Sequence, residues 1–154
     1  MNNYIQIYKN VIDDEYCDEL INKFEIESNK ETYDQGPMSF TQVNLNKNKW
    51  QSDIERLSKV FSNSLEQYKR DCVITEQMWP KRYAFEEIRL KKYLPNDKDR
   101  FDPHVDSINI ESAKRFLVFF IYLDDNKKGE TNFTQLGLAS PCKKGSLLMF
   151  PPLW

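Results

Sequence analysis

The chain contains a single histidine, His104, and a carboxylate follows two residues later in Arg100-Phe101-Asp102-Pro103-His104-Val105-Asp106. Side chains alternate faces in an extended segment, so His104 and Asp106 project to the same side, with about 7 Å of backbone between them. An imidazole nitrogen and a carboxylate oxygen so placed suit two ligand positions on one metal ion. They are two corners of the 2-His-1-carboxylate arrangement that holds Fe(II) and leaves coordination positions open. The third corner, a second histidine, is absent from these 154 residues. By itself His-x-Asp is a weak signal, because a lone histidine beside an aspartate is usually a satisfied polar pair. Cys17, Cys72 and Cys142 are far apart, make no Cys-x-x-Cys pair, and read as reduced, small buried side chains.

The elements that must position this pair can be read from periodicity. Ile5 and Ile7 alternate, which predicts a short strand before a turn at Asn10. Asp13 then suits an N-cap, with Asp14 and Glu15 in the first turn of a helix whose Tyr16, Cys17, Leu20, Ile21 and Phe24 share one face. Residues from Ser28 to Met38 are polar and include Gly36-Pro37, which predicts a loop, followed by a short strand from Phe40 to Leu45. Trp50, Ile54, Leu57, Phe61, Leu65 and Tyr68 predict a second packing helix from about Lys49 to Lys69. Met78-Trp79-Pro80 suggests a loop over the domain, with Trp79 as a packed surface aromatic.

From Phe85 onward the period becomes alternating. Phe85 to Leu94 predicts a strand with Ile88 and Leu90 on one face and Arg89, Lys91 and Tyr93 on the other. A turn at Pro95-Asn96-Asp97 leads into the His104 segment. Arg115 to Leu123 is apolar on both faces, as expected of a strand between two layers. Turn residues from Asp124 to Gly129 close it, then come short strands over Glu130–Gln135, up to Pro141, and Ser146–Phe150, with turns at Gly137 and Lys143-Lys144-Gly145. The expectation is one α+β domain, residues 1–154: an N-terminal strand and packing helices over 1–84, and six short strands over 85–154 that form a sandwich or barrel.

Composition narrows the function classes. Hydrophobic residues make up 40% and charged residues 30%, with a net charge of -2, so nothing favours a polyanionic partner such as nucleic acid. The segment Met1–Tyr8 lacks a basic region followed by an apolar core, and no run approaches the roughly 18 apolar residues of a membrane helix. These features lead us to expect a cytoplasmic protein without a membrane partner.

Taken as an ordered set, Tyr93, His104-x-Asp106, Arg115, Tyr122-Leu123-Asp124, Gly129-Glu130-Thr131-x-Phe133, Pro141-x-Lys143-x-Gly145 and the apolar strand to Phe150 resemble the prolyl 4-hydroxylase-like Fe(II)/2-oxoglutarate-dependent oxygenases. The resemblance covers about Phe85 to the end, and the opening strand and helix are also similar. It implies a double-stranded β-helix, a cupin-like jelly roll with packing helices outside. His104 and Asp106 match two iron ligands, and Tyr93, Tyr122 and Thr131 match positions that border 2-oxoglutarate. Arg115 matches a recurrent arginine whose role is more often structural. The implied activity is hydroxylation of a C–H bond, in a peptidyl proline or a similar side chain of a peptide or protein substrate. 2-Oxoglutarate would yield succinate and CO2, with ascorbate as reductant.

The chain departs from the pattern at two points. Lys128-Gly129 replaces a Gly-Gly pair. The distal histidine and a basic residue for the far carboxylate of 2-oxoglutarate would follow Pro151-Pro152-Leu153-Trp154, on the last two core strands, so the resemblance implies a C-terminally truncated chain. Loss of those strands would leave open sheet edges and favour self-association. The alternative function is a catalytically inactive jelly-roll binding module derived from such an oxygenase.

Overall fold

A computed structural model describes residues 4–47 and 49–152. The expectations concerning Met1–Asn3 and Leu153-Trp154 lie outside the described residues. Strand β1 (Gln6–Tyr8) turns at Asn10 in the left-handed region, φ 55°, and enters helix α1 (Asp14–Ile26). As expected, Asp13 caps the helix, its carboxylate accepting from the Tyr16 N–H at 2.7 Å. Tyr16, Cys17, Leu20 and Phe24 are the buried face.

The polar stretch expected to be a loop instead contains strand β2 (Glu31–Gln35), which pairs antiparallel with β3 (Met38–Asn44) around a turn at Gly36, φ 55°. Polarity misleads here because β2 is an edge strand, largely open to solvent and paired on one side only. Helix α2 (Gln51–Asp71) matches its expected span and buries Leu57, Phe61, Leu65 and Tyr68.

Strand β4 (Arg89–Lys92) is shorter than the expected Phe85–Leu94, since only these residues find a ladder partner, on β3. β5 (Arg100–Phe101) pairs with Met38–Ser39, farther along the same strand β3. The expected turn between them is held by Asp99, whose carboxylate accepts from the Leu94 N–H and the Ser39 hydroxyl, both at 2.9 Å. Next come β6 (Val118–Ile121), β7 (Asn126–Phe133), β8 (Leu138–Cys142) and β9 (Leu147–Phe150). The turn expected over Asp124–Gly129 is tighter than that, because Asn126 to Gly129 already belong to β7, which carries a register shift between Asn126 and Thr131.

Three sheets result: β1-β9-β6, β2-β3-β4 with β5 also on β3, and the β7-β8 hairpin. Every strand pair among the described residues is antiparallel, giving a mixed α+β architecture. The first sheet divides the core. Leu117, Phe119, Ile121 and Leu123 pack with the cluster that includes α1 and α2, whereas Val118, Phe120 and Tyr122 pack with Phe133 and Phe150. That alternation explains why the β6 region is apolar on both faces. Gly145 permits the turn into β9: its φ is +71°, its carbonyl accepts from the Val11 N–H at 2.9 Å, and a Cβ there would lie 2.6 Å from the Ile12 carbonyl oxygen. The three cysteines are free, Cys17 and Cys72 buried. No helix among the described residues is long and apolar enough to cross a membrane.

Candidate functional site

β5 ends at Phe101, so His104 and Asp106 lie not on a paired strand but on the bent segment beyond it. The start of this segment is fixed by the β2-β3 hairpin: the Asp102 N–H donates to the Pro37 carbonyl at 2.8 Å, and Phe101 pairs with Met38. Its far end is fixed twice at Asp106. There the N–H donates to the Pro152 carbonyl at 3.2 Å, and the carbonyl accepts from Arg115 Nη1 at 3.2 Å. Arg115 in turn grips Glu86 through Nε (2.7 Å) and Nη2 (3.3 Å), and that contact holds its guanidinium above its ordinary pKa.

Between these anchors His104 and Asp106 do come together. His104 Nδ1 lies 2.7 Å from the Asp102 carbonyl oxygen, which can only accept, so Nδ1 carries the proton. The other ring nitrogen, Nε2, faces Asp106 Oδ1 at 3.2 Å. In that tautomer Nε2 and Asp106 Oδ1 both present lone pairs to the space between them, an arrangement that a metal ion could share. Two ligand atoms about 2.1 Å from one ion and at right angles would sit about 3.0 Å apart, so the separation of the pair is compatible with a shared metal ion. The carbonyl bond at Nδ1 is the outer contact that ligating histidines use to fix their tautomer. His104 is stacked on Phe101, ring centroids 3.8 Å apart and planes within 11°. Among the described residues no group of three His, Cys, Asp or Glu side chains is arranged to hold a metal.

Tyr122 and Thr131 also meet, their hydroxyls 2.7 Å apart, with the Ser140 carbonyl and hydroxyl each 3.5 Å from the Tyr122 oxygen. Burial raises the Tyr122 pKa, so the hydroxyl keeps its proton. No hydrogen bond among the described residues joins this group to His104 and Asp106. The two are related through β9, whose Phe150 packs on Phe133 and Phe120 and whose next residues reach Pro152 beside Asp106. Tyr93, just past β4, is reached through aromatic contacts: it packs on Phe40 (5.5 Å), Phe40 on Phe101 (6.0 Å), and Phe101 on His104. Burial, reinforced by the Asp99 charge, pushes its pKa up to about 12. Trp79 is a packing residue, edge-on to Phe116 at 4.9 Å.

Sequence reasoning sets Arg115 aside as structural and does not single out Phe40 or Phe101. Arg115 acts on the site through the Asp106 backbone. The aromatic pair comes from strands whose pairing with each other no periodicity reveals.

No protein-family model matches the chain, and no curated protein does either. Among solved structures, the chain is similar to the viral collagen prolyl hydroxylase of Paramecium bursaria Chlorella virus-1 in complex with 2-oxoglutarate. That match has 21% identity and a TM-score of 0.70, covering 97% of this chain and 78% of that one. A truncated form of the same viral protein matches at 22% identity and a TM-score of 0.55, covering 96% and 72%. At this identity the likeness concerns the fold alone, and the fold is prolyl hydroxylase-like.

Proposed function

We propose that the chain is an Fe(II)/2-oxoglutarate-dependent dioxygenase with a double-stranded β-helix core, hydroxylating a C–H bond of a peptidyl proline or a similar side chain. The observation that carries this reading is the His104–Asp106 pair, a nitrogen lone pair of fixed tautomer 3.2 Å from a carboxylate oxygen. The solved structure with which the fold is shared supports it, being a prolyl hydroxylase in complex with 2-oxoglutarate. In this reading His104 Nε2 and Asp106 Oδ1 hold the iron. When bound, Fe(II) and 2-oxoglutarate supply the oxidising chemistry, with release of succinate and CO2 and with ascorbate as reductant.

The chain's own residues do the positioning. The Asp102 carbonyl keeps the imidazole proton on Nδ1, and Arg115 and the Pro152 carbonyl fix the Asp106 backbone. Phe101 covers one face of the imidazole and excludes water from it. Tyr93, Tyr122 and Thr131 offer hydroxyls to the cosubstrate. The partner that goes with this reading is a peptide or protein substrate in the cytoplasm, with neither nucleic acid nor membrane involved. Self-association would use the second edges of β4 and β6, which no strand among the described residues pairs.

The test is succinate formation from 2-oxoglutarate with Fe(II) and ascorbate, in wild type, His104→Ala and Asp106→Ala. Wild type is expected to form succinate and both variants to lose it. A second reading, an inactive binding module, is favoured by the lack of a third protein ligand among the described residues. Folded wild type that forms no succinate and gains no thermal stability from Fe(II) would overturn the oxygenase reading in its favour, and His104→Ala would then be silent.

A further inference from the structure

We propose that Phe101 is a site of self-hydroxylation: without a peptide substrate in place, the oxygen transfer read at the His104–Asp106 pair falls on this ring, an inference that rests on that reading. Phe101 and His104 are stacked, ring centroids 3.8 Å apart and planes within 11°. An ion held on the Nε2 lone pair lies in the imidazole plane about 2.1 Å beyond the nitrogen, which puts the centre of the Phe101 ring about 5 Å from it. The ring is held in that position, because Phe101 pairs with Met38 on β3 and Phe40 packs on it at 6.0 Å. It is also 36% exposed, so dioxygen reaches it and an added hydroxyl has room toward solvent. The other rings of the candidate site are less well placed. Tyr93 is separated from His104 by Phe40 and Phe101, and Tyr122 makes its ring contact with Phe120 in the other cluster.

Proximity selects the ring. The chemistry that iron and 2-oxoglutarate supply is strong enough for an unactivated C–H bond, and a C–H group held at contact has the advantage over any that must diffuse in. The step balances with the co-reactants of the proposed function. One aryl C–H bond of Phe101 breaks, as does the bond between the keto carbon and the adjoining carboxyl carbon of 2-oxoglutarate. One oxygen atom of O2 forms a C–O bond to the ring, and the other enters succinate as the carboxyl group leaves as CO2. Ring and 2-oxo acid are each oxidised by two electrons, and O2 is reduced by four. The displaced hydrogen ends on the new phenol oxygen.

Two measurements decide it, and the first needs no turnover. Mn(II) is titrated into protein isotope-labelled on its phenylalanine rings, with the Phe101 signal assigned from Phe101→Leu. Paramagnetic broadening is expected to erase the Phe101 resonance before that of any other phenylalanine. In the second, wild type and His104→Ala are incubated with Fe(II), ascorbate and isotope-labelled O2, with and without 2-oxoglutarate and with no peptide substrate. The tryptic peptide that begins at Phe101 is then sequenced by mass spectrometry. Wild type with 2-oxoglutarate should gain one labelled oxygen atom on Phe101 and none on His104, and the gain should be lost in His104→Ala and when 2-oxoglutarate is omitted. A label that appears equally without 2-oxoglutarate, or on His104, is adventitious metal-catalysed oxidation and overturns the proposal. If Mn(II) binds and succinate forms while Phe101 keeps its resonance or stays unlabelled, the Phe101 assignment fails and the oxygenase reading stands. If Mn(II) does not bind or no succinate forms, the oxygenase reading fails and takes the assignment with it.

Discussion

Replacing Arg115 by alanine tests whether the site depends on the backbone of Asp106 as well as on its side chain. The guanidinium donates to the Asp106 carbonyl at 3.2 Å while Glu86 holds it from behind. A hydrogen bond from a charged donor contributes about 1.5–3 kcal/mol when shielded. Arg115 and Glu86 are 42% and 58% exposed, so water competes and the loss of stability should be only about 1 kcal/mol. The effect on the metal should be larger in proportion. Removing an outer contact to a ligand typically lowers metal affinity 10–100-fold. Asp106 keeps its second anchor, the bond from its N–H to Pro152, which places the expectation near the lower end, about tenfold or roughly 1.4 kcal/mol. Mn(II) affinity measured by electron paramagnetic resonance, alongside urea unfolding, reads both quantities. Arg115→Lys should recover little, because an ammonium cannot hold the carbonyl and both Glu86 oxygens in one fork. If Arg115→Ala binds Mn(II) within twofold of wild type while His104→Ala abolishes binding, the Asp106 backbone does not depend on this arginine and the reasoning is wrong.

Asp53→Ala should cost about 2 kcal/mol, or a fall in Tm of about 4–8 °C, because it strips the buried Tyr16 hydroxyl (3.0 Å) and Lys23 (3.1 Å) of their shared acceptor. Metal affinity should not change, and a variant as stable as wild type in a thermal melt would show that the network contributes nothing. Gly145→Ala puts a Cβ 2.6 Å from the Ile12 carbonyl at a φ of +71° and should destabilise by about 2–3 kcal/mol in urea; an unshifted midpoint would mean the turn relaxes freely. Asp99 accepts from the Leu94 N–H, Ser39 and Asn96, which together hold its carboxyl below the ordinary 3.8. Its contribution is therefore present above that value and is lost as pH falls through the lower folded-state value. The stability gap between wild type and Asp99→Asn should be full at about pH 6 and smaller at about pH 3, and a gap independent of pH would contradict the assignment.

Most of the helical part was legible because it depends on signals local in sequence. Asp13 caps α1, and the apolar stripe of α2 predicted its buried face to within a turn at each end. The strand from Arg115 was legible for a different reason. Its uninterrupted apolar run has no polar face to offer water, and the structure divides its residues between two clusters by alternation. Of the β2-β3 hairpin only the second strand was legible, as the short strand from Phe40; its partner was not, since an edge strand such as Glu31–Gln35 needs no apolar alternation to be stable once its backbone is paired. That omission mattered beyond the fold. The turn of that hairpin supplies the Pro37 carbonyl that receives the Asp102 N–H, and its pairing sets the Phe40 ring against Phe101.

The same distinction governs the site. Alternation in an extended segment predicts that His104 and Asp106 face one way, and they do meet, but through a bend rather than along a ladder. Spacing alone leaves two side chains several ångströms apart and says nothing of the ring's tautomer. The proton on Nδ1 is fixed by the Asp102 carbonyl, one residue past the end of β5, and the N–H of that same residue donates to the Pro37 carbonyl on the hairpin. The bond at Nδ1 is thus made by a backbone group, while the Asp102 carboxylate pairs instead with Arg100 Nε at 2.9 Å. Substituting the Asp102 side chain should therefore leave the His104 tautomer intact, whereas any change that unpairs β5 from β3 should release it.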